Sequence, residues 1–181
     1  MTKLETTSPS TNGSKRERSP EATRRVMLDT PIGVLTLEGN DEAVTRIDLP
    51  GRAPVAGELR NDDLSAAPAP LAEAAGQLSE YFAGRRTEFD LPLELTGTPF
   101  QRQVWLTLAD IPYGETVSYA ELATMVGRPK AFRAVGQANG SNPVPIVLPC
   151  HRVVASGGGI GGYGGGLDMK RHLLALEGVA D

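Results

Sequence analysis

The chain of 181 residues contains a single cysteine and two histidines, and aromatic residues make up only 5% of it. One cysteine cannot form a disulfide within the chain, and so few Cys and His residues argue against a structural zinc site. No apolar run reaches the length of about 18 residues that a membrane-spanning helix requires. Residues 1–10 also lack the apolar segment of a secretory signal. We therefore expect a cytoplasmic protein without a metal or other cofactor.

Acidic residues are absent between Glu121 and Asp168, although the whole chain has 22 of them and a formal net charge of −4. The basic residues of this span are Arg128, Lys130, Arg133 and Arg152. Chance placement on a solvated face would explain the pattern, and so would a local anion-binding surface on an otherwise acidic protein. The span includes the only cysteine, Cys150, which favours the anion-binding interpretation.

The composition changes twice along the chain. Residues 1–23 are rich in Ser, Thr, Pro and charge, which predicts a disordered tail. Residues 24–96 combine strand and helix patterns, whereas residues 97–181 are dominated by helix patterns. We predict a mixed fold: a small N-terminal α/β domain with an antiparallel sheet, then a mainly helical C-terminal domain with a helix-turn-helix and an active-site loop.

The N-terminal domain is expected to begin with a meander of strands. Residues 26–38 indicate a hairpin, and residues 43–49 indicate a third strand. Residues 50–70 are typical of a loop. Apolar residues at helical spacing predict a helix over 71–82 with one buried face, and alternation of apolar and polar residues predicts a strand over 87–95. The residues of that face are Leu71, Ala74, Ala75, Leu78 and Phe82. This part of the chain offers no nucleophile and no phosphate-binding loop.

Capping signals mark the helices of the C-terminal domain. Thr98 with Gln101, and Ser118 with Glu121, form two capping boxes that each predict a helix start. A further helix is predicted over 129–139, because proline suits the first turn of a helix. Two short helices joined by a glycine-containing turn are a helix-turn-helix candidate, although many two-helix corners share the pattern.

The last of these helices has small residues along it and a single arginine, Arg133. The small residues are Ala131, Ala134, Gly136 and Ala138. Such residues let a helix backbone approach another surface closely. That surface is either a neighbouring helix or the minor groove of DNA.

The chemistry of the chain is concentrated in residues 142–154. Three prolines restrict the backbone on the approach to Cys150, which predicts a rigid, extended apolar segment. This segment would deliver Cys150 and His151 to the edge of a glycine-rich loop over 157–166. A locally cationic setting, from Arg133 and Arg152, would favour the thiolate of Cys150.

A carboxylate completes the set of groups that an activated nucleophile needs. Glu177 lies on the final predicted helix and could fold back towards Cys150 and His151. Because adjacent residues of a strand point to opposite faces, a direct Cys–His contact would require a turn or a bridging water.

The hexapeptide Pro149-Cys-His-Arg-Val-Val154, with Arg133-Ala-Val-Gly136 and Asn142-Pro143 upstream, resembles the signature of the O6-alkylguanine-DNA alkyltransferases, or methylated-DNA–protein-cysteine methyltransferases. The resemblance covers residues 98–178 strongly and the N-terminal domain loosely. It implies a monomeric repair protein that binds alkylated duplex DNA through the minor groove. It further implies a single, self-inactivating transfer of the alkyl group from O6-alkylguanine, and from O4-alkylthymine, to cysteine after base flipping.

The resemblance also implies individual roles. Cys150 is the acceptor, His151 removes its proton through a water, and Glu177 orients that histidine. Asn142 braces the turn between the recognition helix and the active-site segment. Tyr119 lines the pocket, helps to rotate the nucleotide and protonates the departing guanine.

For DNA binding, the resemblance implies that Arg133 enters the duplex and fills the place of the flipped base. The other implied DNA contacts are Ala134, Gly136, Arg128, Lys130 and Tyr119. The implied substrate-binding residues are Pro145, Val153, Tyr163 and Gly164, with the backbone of Cys150 and Val153 accepting hydrogen bonds from the guanine amine.

Three alternatives remain open. A non-catalytic alkyltransferase-like protein would bind lesions but lack the cysteine, which is present here as Cys150. A cysteine hydrolase would use Cys150, His151 and Glu177 and would turn over an ester or amide repeatedly. A structural cysteine beside a hydrogen-bonded histidine would be unreactive towards small electrophiles.

Overall fold

The computed structural model describes residues 23–51, 59–60 and 64–179. The predicted disordered tail, apart from residue 23, and much of the predicted loop over 50–70 lie outside these residues. No helix among the described residues is both long and apolar enough to cross a membrane.

The chain begins with the predicted antiparallel meander, formed by β1 (Arg24–Thr30), β2 (Gly33–Gly39) and β3 (Val44–Asp48). A short fourth strand, β4 (Leu59–Arg60), pairs in parallel with β1 and gives the sheet order β3-β2-β1-β4. The sequence did not indicate β4, because two residues are too few for an alternation pattern. The antiparallel sheet itself is confirmed.

Helix α1 (Ala69–Phe82) packs on one face of this sheet. The predicted apolar residues Leu71, Ala74, Ala75 and Leu78 are buried there. At the C-terminal end of the helix, Tyr81 is fully buried and Phe82 only partly, whereas the sequence pattern had placed Phe82 on the buried face.

The predicted strand over 87–95 does not form. Its apolar residues alternate inwards as expected, but only Leu93 makes an isolated bridge, to Val44. Pro92 has no N–H to donate. The backbone of Asp90 is bonded to the side chain of Gln77, through its carbonyl at 2.9 Å and its N–H at 2.9 Å. At Asp90 and Pro92 the groups that a longer ladder requires are therefore already bonded or missing. Pairing is limited to Val44, whose N–H donates to the Pro92 carbonyl at 2.9 Å and whose carbonyl accepts from Glu94 N–H at 3.0 Å.

The second half of the described chain is mainly helical, with α2 (Pro99–Leu108), α3 (Tyr119–Met125), α4 (Phe132–Gly140) and α5 (Leu167–Leu176). Both predicted capping boxes are present, at Thr98 and at Ser118. Helix α4 begins at Phe132 rather than at Pro129, because the preceding residues form a turn in which Ala131 N–H donates to the Arg128 carbonyl at 2.8 Å.

Contacts between distant segments position the future site. The short strands β5 (Val117–Ser118) and β6 (Val153–Val154) pair in parallel and bring the start of α3 beside residues 150–152. The indole N–H of Trp105 donates to the Ala138 carbonyl at 2.7 Å, which ties α2 to α4. Ile47 N–H of β3 donates to the Pro143 carbonyl at 2.8 Å. The N-terminal unit (residues 24–96) thus contacts the segment that leads to Cys150.

The capping box of α2 yields a first prediction. Thr98→Ala removes the hydroxyl that accepts from Gln101 N–H, and we expect the free energy of unfolding in urea to fall by about 1 kcal/mol. The matched control is Thr107→Ala, which removes the same atoms from the end of the same helix without opening a cap, and should change stability by less than about 0.5 kcal/mol. Equal losses for both variants would contradict the prediction.

Candidate active site

The segment before Cys150 is folded back, so the prediction of an extended rod is wrong. The Asn142 side chain closes it, since its Nδ2 donates to the Leu148 carbonyl at 2.7 Å and its Oδ1 accepts from Val144 N–H at 3.0 Å. Ile146 lies within the loop at φ 74°, a left-handed conformation that is unfavourable for a β-branched residue. Its side chain is fully buried, which holds it there.

Cys150 follows directly on this loop. Pro149, at φ −81° and ψ 67°, forms an inverse γ-turn in which Cys150 N–H donates to the Leu148 carbonyl at 2.8 Å. Residues Cys150–Arg152 then make one turn of 3₁₀ helix. His151 Nδ1 has no hydrogen-bond partner among the described residues, so the thiol is not hydrogen-bonded to this nitrogen.

Cys150 lines a cavity of about 730 Å³ that lies between the two halves of the chain. The predicted site residues Asn142, Pro145, Tyr163 and Gly164 also line it, as do Tyr119 and Gly136. Val153 is not among the lining residues, and its carbonyl accepts from Lys170 Nζ at 2.6 Å. The N-terminal unit contributes residues 46–49 of β3 and its end to the wall, although the sequence suggested no functional residue there.

Two glycines without a Cβ atom lie close to the Tyr119 side chain at the cavity wall. A Cβ atom at Gly136 would lie 3.4 Å from its ring, and one at Gly161 would lie 3.3 Å from its hydroxyl. Burial raises the pKa of Tyr119, more than a hydrogen bond with the backbone of Gly162 lowers it. The phenol therefore keeps its proton at neutral pH.

Glu177 is the centre of the buried polar network next to Cys150. His151 Nε2 lies 2.7 Å from its Oε1, and Arg152 donates to both carboxylate oxygens, at 2.8 and 3.1 Å. The Tyr81 hydroxyl donates to Oε1 at 2.7 Å, and Gly114 N–H donates to Oε2 at 3.4 Å. Burial alone would raise the pKa of Glu177, but the hydrogen bonds from His151 and Arg152 hold it at about 2.

This arrangement defines the state of His151. Burial lowers its pKa more than the bond to Glu177 raises it, so the ring is neutral. An ionised carboxylate can only accept, so Nε2 carries the proton. The lone pair of a neutral imidazole is therefore on Nδ1, the nitrogen without a partner among the described residues.

The electrostatics at Cys150 differ from the sequence prediction. Burial raises the pKa of its thiol to about 11, so the resting group is protonated. Arg152 is neutralised by Glu177, and Arg133 lies exposed on α4. The cation that lowers the pKa of the Cys150 thiol is Lys170. Lys170 is itself fully buried, and this burial lowers its own pKa to about 8.

The other predicted DNA-contacting residues lie on one exposed stretch of the chain. Arg128, Lys130, Arg133 and Ala134 are exposed, and Gly136 is half-buried. The Arg133 guanidinium lies 5.9 Å from the ring centre of Phe132, which is 47% exposed. Arg152 does not belong to this surface, because its side chain is internal.

Two residues of the network were missed from the sequence. Lys170 carried a weak signal, since it shares the helical spacing of the apolar residues of α5. Tyr81 carried none, because only the packing of α1 brings it to Glu177, 96 residues away. Among the described residues, no group of three or more His, Cys, Asp or Glu side chains could hold a metal ion.

Family models match both parts of the chain. The DNA binding domain of 6-O-methylguanine DNA methyltransferase matches residues 99–179, and the ribonuclease-like domain of 6-O-methylguanine DNA methyltransferase matches residues 24–95.

Individual proteins are similar over most of their length. The methylated-DNA–protein-cysteine methyltransferase of Mycolicibacterium paratuberculosis is 51% identical over 150 residues, which cover 83% of this chain and 89% of that protein. The constitutive enzyme of Bacillus subtilis is 45% identical over 155 residues, with coverages of 84% and 93%. The structure of Mycobacterium tuberculosis OGT in complex with DNA matches with a TM-score of 0.75 at 45% identity, covering 85% of this chain and 92% of that one.

The buried carboxylate yields a second prediction. Glu177→Gln leaves Arg152 with an uncompensated buried charge, so we expect the free energy of unfolding at pH 7 to fall by about 3–5 kcal/mol. Because folding lowers the pKa of Glu177, its stabilisation is present above its ordinary value of 4.5 and is lost as the pH falls towards about 2. The difference in free energy of unfolding between wild type and variant should therefore narrow as the pH falls from 4.5 towards about 2 in denaturation experiments.

Glu80→Gln is the control. Glu80 pairs with Arg86 at 2.7 Å, but its side chain is 45% exposed, and such pairs contribute about 0–1 kcal/mol. A Glu177→Gln variant no less stable than this control would contradict the assigned network.

Proposed function

Because the chain belongs to the methylated-DNA–protein-cysteine methyltransferase family, we propose that it repairs duplex DNA by accepting alkyl groups on Sγ of Cys150. The proposed substrates are O6-alkylguanine and O4-alkylthymine, and the proposed acting species is a monomer. Each molecule reacts once, because a thioether is not hydrolysed under the conditions of the cell.

The position of Cys150 carries this proposal. The only cysteine of the chain lies in the wall of a cavity large enough for a nucleobase, beside the His151–Glu177 pair. Two buried atoms of cavity-lining residues, Asn139 Oδ1 and Tyr163 Oη, have no hydrogen-bond partner among the described residues.

The proton of the thiol is proposed to leave through His151. The resting Cys150 is protonated, and the neighbouring His151 offers the imidazole lone pair on Nδ1 as a base. One water between Sγ and Nδ1 would relay the proton, since the two groups are not hydrogen-bonded to each other. The imidazolium that forms is stabilised by Glu177, which is already ionised.

The transfer itself is a displacement at the sp³ carbon of the alkyl group. The Cys150 thiolate forms the S–C bond as the C–O6 bond breaks, and the electron pair of that bond passes to the guanine. Tyr119, protonated at the cavity wall, is the proposed donor to the departing base. Proton donation makes guanine a better leaving group.

The DNA is proposed to lie along α4. Its small residues Ala134 and Gly136 permit a close approach to the minor groove, and Arg128 and Lys130 are exposed for phosphate contacts. The O6 atom of guanine faces the major groove in a duplex, so a protein on the minor-groove side must rotate the base out. Arg133 would occupy the vacated place and offset part of the lost stacking.

Within the cavity, Pro145, Tyr163 and Gly164 are the proposed walls for the rotated base. The carbonyl of Val153 already accepts a hydrogen bond from Lys170 Nζ. Only the second lone pair of this oxygen is therefore free to accept from the guanine amine. The carbonyl of Cys150 is the alternative acceptor.

Mass spectrometry of the intact protein tests the acceptor. After mixing with duplex DNA that contains O6-methylguanine, wild type should gain one methyl group, located on Cys150, at a stoichiometry of one per chain. Cys150→Ala should gain none while retaining affinity for the duplex, because the substitution leaves α4 unchanged. A methyl group elsewhere, or repeated turnover of an ester or amide substrate, would refute the proposed function.

Arg133→Ala tests the role of α4. We expect the single-turnover transfer rate from duplex DNA to fall about tenfold, in keeping with the loss of one DNA-contacting arginine. Transfer from a single-stranded oligonucleotide should fall less, since no base has to leave a duplex. Arg85→Ala, an exposed arginine of the N-terminal unit, is the charge-matched control and should leave both rates unchanged. Equal losses on both substrates would exclude a role in base flipping.

A further inference from the structure

We propose that Tyr81, in the N-terminal unit, is a positioning residue for alkyl transfer: its hydroxyl orients the Glu177 carboxylate and so sets the basicity of His151. This inference rests on the proposed function, because it assigns a control element to the same proton relay. It gives the N-terminal unit a direct part in the chemistry at Cys150.

The contact is direct and fully enclosed. Tyr81 is fully buried, and its hydroxyl donates to Glu177 Oε1 at 2.7 Å. The same oxygen accepts from His151 Nε2 at 2.7 Å. Tyr81 and His151 therefore share one acceptor atom, and a change in either bond alters the other.

The aromatic ring of Tyr81 has little freedom to move. It makes edge contacts with Phe82 and Tyr113, at centroid distances of 5.3 and 6.2 Å, and a tilted contact with Phe89 at 5.5 Å. Such contacts fix the ring, and the hydroxyl with it. A rigid donor at this point keeps Oε1 directed towards His151.

The hydroxyl remains a donor throughout the working pH range. Burial, and then the charge of Glu177, raise the pKa of Tyr81 well above its usual value. Tyr81 thus always supplies a proton to Oε1 and takes up part of the carboxylate charge. Without that bond, the charge of Glu177 would act more strongly on His151 and raise its pKa.

The other charged or titratable groups facing this pair would be unchanged by removal of the Tyr81 hydroxyl. They are Arg152 on the 3₁₀ turn, Lys170 on α5, Tyr113 after α2 and the thiol of Cys150. Arg152 and Lys170 both lower the pKa of His151. Tyr81 is the member of this network that comes from the N-terminal unit.

Tyr81→Phe tests the inference in the full-length protein. We expect the single-turnover rate of methyl transfer at neutral pH to fall about tenfold, because Glu177 loses one of the donors that orient it; a tenfold change corresponds to about 1.4 kcal/mol, near the lower end for a hydrogen bond to a charged group. The acid limb of the pH–rate profile should move to higher pH, because His151 would be protonated more readily. The affinity for the same duplex should not change.

Tyr113→Phe is the matched control. It also removes one tyrosine hydroxyl near the end of α5, but that hydroxyl donates to the Leu176 carbonyl at 3.0 Å and not to the carboxylate. We expect the acid limb of this variant to coincide with that of wild type. Thermal unfolding of both variants measures the purely structural cost of losing the hydroxyl.

A second readout separates this inference from the proposed function. Iodoacetamide alkylates Cys150 in the absence of DNA, and mass spectrometry of the protein measures the rate. This reaction requires the same proton relay but no DNA. Tyr81→Phe should slow this reaction and shift its acid limb in the same direction. If the wild-type protein accepts no methyl group from methylated DNA, the proposed function is refuted. The pH–rate profiles of iodoacetamide alkylation would still test the positioning role of Tyr81. An unshifted acid limb in both assays, or a shift equal to that of Tyr113→Phe, would refute the positioning role.

Discussion

Glu177 places a buried negative charge beside His151 and Arg152, and a buried charge is tolerated only when it is paired and hydrogen-bonded. Its donors come from α1, from the turn after α2 and from the 3₁₀ turn that contains His151 and Arg152. Arg152 reaches both carboxylate oxygens, but the complete set of donors comes from both parts of the chain. Formation of the site therefore requires that both parts of the chain be folded and docked, and the same docking leaves His151 neutral with Nδ1 available as a base.

The active-site loop connects this network to α4. Asn142 follows the C-terminal end of α4 by two residues and bonds to Leu148, which in turn accepts from Cys150 N–H. The tight fold of the loop places Ile146 at an unfavourable φ, and the burial of its side chain offsets the cost of that conformation. Because these bonds form a continuous path, the helix proposed to hold DNA and the cysteine proposed to accept the alkyl group belong to one rigid element. A rigid element of this kind supplies a fixed distance between the opened duplex and the nucleophile.

Sequence patterns predicted the structure correctly where the interactions join residues that are close in the chain. The capping boxes at Thr98 and Ser118 involve residues three positions apart, and both form as predicted. The hairpin of β1 and β2 likewise depends on neighbouring residues. The prediction failed for residues 87–95, where Gln77 takes the backbone groups of Asp90, and for the start of α4. In the first case a side chain from another element competed with the strand ladder, which no local pattern can reveal.

The sequence by itself determined the elements of chemistry and the family: one cysteine next to a histidine, in a hexapeptide that resembles the signature of the family whose models match the chain. Tertiary structure alone decided how those elements work. It brought Tyr81 and Lys170 into the network, moved Arg152 from a surface cation to a partner of Glu177, and made the resting group at Cys150 a thiol rather than a thiolate. The physical reason is that protonation states and buried hydrogen bonds depend on desolvation and on contacts between residues far apart in the chain, and neither is encoded in a local pattern.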